Sequence, residues 1–123
     1  MRERILIVSD DQRNASMRES LAGDGFAVTV TDENGFRQLL ESRFDLVVVN
    51  LRDATKGLAF IKQIRANPEL RDLLILTVAE WGTGQGTMAL TDGVDGFVPA
   101  PVDSRRLVET VTRLLRPNLT MTA

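Results

Sequence analysis

Phe44-Asp45-Leu46-Val47-Val48-Val49-Asn50, residues 44–50, decides how the rest of the chain is read. Four consecutive aliphatic residues, three of them β-branched, describe a strand buried on both faces, as in the middle of a parallel sheet with helices on either side. Such a strand delivers its last residue to the carboxyl edge of the sheet, where ligands and chemistry collect in open α/β folds. Asn50 therefore stands where a functional side chain is expected, and its being an amide rather than a carboxylate is the main clue to function.

Upstream, Ile5-Leu6-Ile7-Val8 is a second aliphatic run, ending in Ser9-Asp10-Asp11. A helix is expected to follow through Leu21, with Met17 and Leu21 on one face and Gly23 to Gly25 ending it. Ala27-Val28-Thr29-Val30 is β-branched enough for a strand, and Asp32 is placed to cap a helix carrying Phe36, Leu39 and Leu40. Downstream, a loop from Leu51 to Gly57 leads to a helix marked by Leu58, Phe60, Ile61 and Ile64, which Asn67-Pro68 terminates. Leu73-Leu74-Ile75-Leu76-Thr77-Val78 reads as a fourth strand. The run Gly82-Thr83-Gly84-Gln85-Gly86 restricts any fourth helix to a short one, starting near Gln85 or later and ending before Gly93. Asp95-Gly96-Phe97-Val98 is a brief fifth strand, Pro99-Ala100-Pro101 a rigid loop, and Asp103 a cap for the last helix. There Leu107, Val108, Val111, Leu114 and Leu115 form a core-facing stripe until Pro117 stops it. Residues 1–116 are thus expected to form one domain, and 117–123 a tail or the first residues of a linker.

Composition excludes whole classes of chemistry. The 123 residues suffice for one domain. The absence of cysteine removes disulfides and thiol catalysis, and the absence of histidine removes the commonest general base and metal ligand. A net charge of −2 gives no pull towards nucleic acid or anionic membrane. No apolar run reaches membrane-spanning length, so a cytoplasmic location is the expectation.

Five strands alternating with five helices imply a three-layer α/β sandwich with right-handed crossovers. Over essentially its whole length the chain resembles the receiver domains of bacterial two-component response regulators. The stretches that carry the resemblance are Ile5–Val8 with its acidic cluster, Met17–Leu21 with Gly25-Phe26, and Phe44–Leu51. Further on they are Asn67–Asp72, and Gly93–Phe97 running into Ala100-Pro101. The resemblance implies a flavodoxin-like sheet of order 2-1-3-4-5 and a phosphorylation pocket at its carboxyl edge. In that family an acidic pair and an aspartate ending strand three hold magnesium, and the aspartate accepts the phosphoryl group. A hydroxyl after strand four and a lysine before a proline after strand five bind the phosphoryl oxygens, which suits magnesium's demand for anionic oxygen and the charge in transfer.

Carried over residue by residue, that pocket is degenerate here. Asn50 falls on the phosphoacceptor and Ala100 on the lysine. The acidic pair corresponds to Ser9 and Asp10 without a gap, or to Asp10 and Asp11 with one. Ungapped spacing puts Ala79 at the hydroxyl position, while the nearest hydroxyl, Thr77, lies two residues early. Phe97 falls where receivers carry a switching aromatic, although a buried core ring is the simpler account of it. Ala100-Pro101 is expected to be cis, as in the family. Magnesium binding is expected to be weak or absent, with Asp10 and Asp11 the weak candidates, and no cofactor or catalytic residue is expected.

Three functions compete. The favoured one is a non-phosphorylatable pseudo-receiver that works through protein contacts, with a histidine kinase, a response regulator, an output domain or a second copy as partner. The second is an active receiver that uses Asp53 or Asp11 as an unconventional acceptor. The third is a nucleotide-binding module built on the glycine run, which lacks both the full dinucleotide fingerprint and the P-loop lysine. Receivers pair through the side formed by helix four, strand five and helix five. Here the final stripe leaves Arg105, Arg106, Glu109 and Arg113 pointing outwards, and Trp81 beside the glycines marks a second contact surface. Without the family pattern, Asn50 is a strand-end amide bonded to the following loop, and Asp10 and Asp11 cap the first helix.

Overall fold

The computed structural model describes residues 2–10, 15–51, 53–79 and 93–116. Strands β1 (Arg4–Ser9), β2 (Ala27–Thr31), β3 (Leu46–Asn50), β4 (Leu74–Ala79) and β5 (Gly96–Pro99) form a five-stranded sheet in the order β2-β1-β3-β4-β5. Every neighbouring pair is parallel. Helices α1 (Ala15–Gly23), α2 (Phe36–Glu41) and α3 (Ala54–Ala66) and a last helix (Ser104–Leu115) cover the sheet. A single 3₁₀ turn, Pro68–Leu70, precedes β4. This is the flavodoxin-like, receiver-type sandwich.

Alternation along the strands builds two cores. Ile5, Ile7, Leu46 and Val48 pack with α1 and the last helix through Met17, Leu21, Leu107 and Val111. Leu6, Val8, Val47 and Val49 pack on the opposite face with Leu39 of α2 and Phe60, Ile61 and Ile64 of α3. Leu46 to Val49 are at most 1% exposed, so β3 is buried on both faces. The edge strand β2 is only partly covered, with Thr29 exposed.

Turn chemistry fixes where the elements stop. Gly25 takes φ +97°, a left-handed conformation that a side chain would strain, while Gly25 and Phe26 donate N–H bonds back to Ala22 and Leu21. Asp103 caps the last helix by accepting from the Arg105 N–H at 3.0 Å. Asn67 closes α3 and accepts from the Glu69 N–H, with Pro68 opening the 3₁₀ turn. Ala100-Pro101 is cis.

Several elements differ from the sequence expectation. Asp32 does not cap α2: its carboxylate accepts from the Asn34 N–H and its carbonyl from the Gly35 N–H, making a turn that delays the helix to Phe36. The loop after β3 is shorter than expected, because Asp53 accepts from the Thr55 and Lys56 N–H groups and starts α3 at Ala54. Leu40 is 47% exposed rather than part of the core. Leu114 and Phe97 are half-buried rather than buried. The expected fourth helix and the glycine run lie outside the described residues.

Two ion pairs tie distant segments at the amino edge of the sheet. Arg65 at the end of α3 donates to the carbonyls of Gly93, Arg71 and Leu73 and to the Asp95 carboxylate. Asp95 also accepts from the Ile75 N–H at 2.8 Å, so one carboxylate joins α3, β4 and the approach to β5. Arg116, after the last helix, grips Glu3 with two nitrogens at 2.7 and 2.9 Å while its guanidinium lies 4.5 Å from the centre of the Phe26 ring. The Arg116 hydrogen bond holds the Glu3 carboxyl well below its usual range, to about 2, with burial opposing it.

A carboxyl with a lowered folded-state pKa stabilises the fold fully above its unfolded value near 4.5 and loses that stabilisation as the pH falls towards 2. Glu3→Gln is therefore expected to lower the unfolding free energy by about 1 kcal/mol at pH 7, the scale of a partly exposed bidentate pair. In urea titrations the gap should narrow at pH 3. An equal loss at both pH values would mean that the charge of Glu3 is not the cause.

Candidate functional site

The carboxyl edge of the sheet brings together most of the residues singled out by spacing. β1 and β3 end level with one another, Ser9 in register with Asn50. Ser9 is buried at 5% exposure, Asn50 is half-buried, and Asp10 follows as an exposed residue. Strand alternation puts Ser9 and Asn50 on the face of Ile5, Ile7, Leu46 and Val48, towards α1 and the last helix.

The two candidates on β4 separate clearly. Thr77 is buried at 6% exposure and pairs with Val49 and Phe97, one level below the Asn50 end of β3. Ala79 pairs with Pro99 at the last register position of both strands, the level at which β4 reaches the edge. Beyond β5, Ala100 is half-buried and packs against the core beneath the last helix, immediately before the cis bond to Pro101. Its side chain is a methyl group and brings no charge to this edge. Asp11 and Trp81 lie outside the described residues.

Sequence spacing missed the lysine of this edge. Lys56, in the first turn of α3, places its ammonium 3.1 Å from the Glu33 carboxylate. The hydrogen bond that Lys56 donates to Glu33, and then the Glu33 charge, raise the lysine's pKa, with smaller contributions from Asp53 and Asp10. The signal was available in Asp53-Ala54-Thr55-Lys56, because a residue three positions after a helix cap lies beside the capping carboxylate. The capping role also engages Asp53, whose Oδ1 accepts from the Thr55 N–H at 2.8 Å.

The described residues of this edge make a poor donor set for a divalent cation. Ser9, Asp10 and Asn50 supply one hydroxyl, one carboxylate and one amide, whereas magnesium favours several anionic oxygens in octahedral array. Among the described residues no three acidic, histidine or cysteine side chains gather to hold a metal.

No protein-family model matches the chain. It is 30% identical over 122 residues to the DNA-binding response regulator MtrA of Mycolicibacterium smegmatis, an alignment covering 96% of this chain and 53% of that protein. The chain thus spans about half the length of the curated relatives it matches first. A Chloroflexus aurantiacus protein assigned as a response regulator superposes with a TM-score of 0.82 at 26% identity, covering 94% of this chain and 98% of the other. An atypical orphan response regulator described as having a phosphorylation-independent regulatory mechanism shares the fold, with a TM-score of 0.76 at 23% identity over 92% of this chain and 95% of its own.

With a weak donor set and Lys56 already among the carboxylates of this edge, magnesium at about 10 mM is expected to move the melting temperature by no more than about 2 °C, as for a ligand whose Kd is no tighter than that concentration. Differential scanning fluorimetry with and without the salt checks this. A rise of several degrees would establish a real cation site.

Proposed function

We propose that this chain, which belongs to the receiver-domain family of two-component response regulators, is a pseudo-receiver: it does not accept phosphate and acts as a protein-interaction module. The observation that carries the reading is Asn50, in register with Ser9 at the carboxyl end of β3. Phosphoryl transfer to this position needs a carboxylate oxygen as nucleophile, and an amide, its lone pair delocalised into the carbonyl, is too weak a substitute. The transferred group also needs cations and donors around it. Ala100 offers no charge, and Ala79, read as the residue at the hydroxyl position, offers no hydroxyl. The engagement of Asp53 as a helix cap weighs against its serving as a substitute acceptor.

A domain of this kind has no catalytic step and requires no cofactor. Its partners are other proteins of a cytoplasmic signalling pathway: a histidine kinase, a response regulator, an output domain or a second copy. It does not bind nucleic acid or membrane through this domain, in keeping with its net charge of −2. A relative by fold is described as an atypical orphan response regulator with a phosphorylation-independent regulatory mechanism, which supports the reading. The last helix is the favoured contact face. Arg105 and Glu109 pair with each other at 3.3 Å on its exposed side, while Arg106 and Arg113 form no ion pair among the described residues. Arginine's planar fork suits carboxylates on a partner surface.

Incubation with acetyl phosphate and magnesium, followed by intact mass, is expected to show no phosphate gain. Asn50→Asp alone should not restore uptake, because Ala79 and Ala100 leave the transferred group unsupported. One added phosphate on any aspartate of the unaltered protein would overturn the reading.

Arg106→Glu combined with Arg113→Glu is expected to weaken self-association or partner capture while leaving the melting temperature within about 2 °C, since exposed substitutions usually cost under about 0.5 kcal/mol. Light scattering and pull-down with both forms check this, and unchanged association would move the interface off the last helix.

A further inference from the structure

At the amino edge of the sheet, the end remote from Asn50, the last turn of α2, the start of β3 and the 3₁₀ turn enclose an open groove of about 420 Å³. Its lining is more polar than apolar; Phe44, Leu70 and Leu73 lie nearly buried beneath it, and Leu40 is its one exposed apolar side chain among the described residues. Leu40 is the one large hydrophobic residue that stays exposed among the described residues. An aliphatic side chain left in water at the lip of a hollow gains by being covered, at about 25 cal/mol for each Å² removed from solvent.

The rim sets the sign of what can cover it. Glu41, Asp45, Glu69 and Asp72 line the groove against the single guanidinium of Arg43. Asp45 accepts from the Arg4 N–H at 2.8 Å, and the Arg4 guanidinium lies over the Phe44 ring at 4.8 Å, so that side is already furnished with a cation. Glu41 makes only a loose contact with Arg37 one turn away, at 3.7 Å between two exposed side chains. The side chains of Glu69 and Asp72 are exposed and make no ion pair or hydrogen bond with any described residue, so their charges face solvent at the rim. The negative charge left unpaired is that of Glu69 and Asp72, which disfavours nucleic acid and anionic lipid at this rim. It favours an occupant that carries positive charge on either side of an apolar anchor, the pattern of an amphipathic segment laid in a groove.

We propose that this groove docks a basic amphipathic segment of a partner protein, with an aliphatic or aromatic side chain over Leu40 and flanking Lys or Arg residues facing Glu69 and Asp72. The volume lies within the range of concave binding sites and admits one or two side chains rather than the face of a folded domain. The site is remote from the carboxyl edge, so it stands or falls independently of the phosphoacceptor reading.

The test uses a fluorescein-labelled helical peptide of about 12 residues, with Leu at i, i+3 and i+7 and Arg between them, titrated by anisotropy against the whole chain. Saturable binding in the micromolar range is expected, weaker by about tenfold when NaCl is raised from about 50 to about 300 mM. Glu69→Lys with Asp72→Lys should weaken it by about tenfold or more, and Leu40→Ser by at least about threefold, with Asn50→Ala without effect. Leu40, Glu69 and Asp72 are exposed and Asn50 lies at a strand end, and thermal melts of each variant verify that it folds. No saturation below about 1 mM, equal affinity for the groove variants, or equal binding of a control peptide with Leu replaced by Ser would each overturn the proposal. The last outcome would reduce the groove to a plain acidic surface.

Discussion

A strand covered on both faces can carry polar groups only at its ends, and β3 imposes that constraint on the whole molecule. Leu46 to Val49 are sealed between two helical layers, so every functional possibility of the central strand is pushed into Asn50 and the loop behind it. The same rule holds for β1, whose polar residues, Arg4 and Ser9, stand at its two ends. Because the strands are parallel and in register, their ends collect on one edge, and the chemistry of the domain reduces to which side chains stand there. An amide, a hydroxyl and a methyl stand there at Asn50, Ser9 and Ala100, and the proposed loss of phosphoryl transfer rests on those three groups.

How far the fold was legible depended on whether the deciding interaction was local. The aliphatic runs of β1, β3 and β4 and the stripe of the last helix announce themselves by periodicity, and Asp103 is a cap by position as well as by geometry. The start of α2 was misplaced because Asp32 had two local options and the turn won, with the Gln38 amide reaching back to the Thr31 hydroxyl at 3.1 Å. The exposure of Leu40 follows from a two-turn helix whose buried face is used by Leu39 and Phe36, a narrowness that apolar spacing alone does not reveal. At the candidate site, the positions of Ser9 and Asn50 were readable from strand length. The ambiguity between Thr77 and Ala79 yielded only to register, since two residues on the same face of a strand differ in depth and not in direction. Lys56 escaped notice because its partner Glu33 belongs to another turn.

The two edges of the sheet manage charge differently. At the carboxyl edge a lysine sits among carboxylates, held by Glu33 and near Asp10 and Asp53, so like charges are offset from within the chain. At the amino edge two arginines do structural work: Arg65 satisfies three carbonyls and Asp95, and Arg116 holds Glu3. These pairs span 30 and 113 residues of sequence, which is why no local pattern announces them. What remains at that edge is the unpaired acid of Glu69 and Asp72 beside the exposed Leu40.

The grip of Arg116 on Glu3 also fixes where the chain enters and leaves the fold. The residue just before β1 and the residue just after the last helix meet within hydrogen-bond distance, so both points lie at one pole of the molecule. A unit whose entrance and exit coincide can be spliced into a surface loop of a host protein without stretching either partner. In any such arrangement the host would emerge on the amino side, and the edge bearing Asn50 would be presented outward, away from whatever is attached. The architecture is that of a detachable cartridge, wired at one end and open at the other.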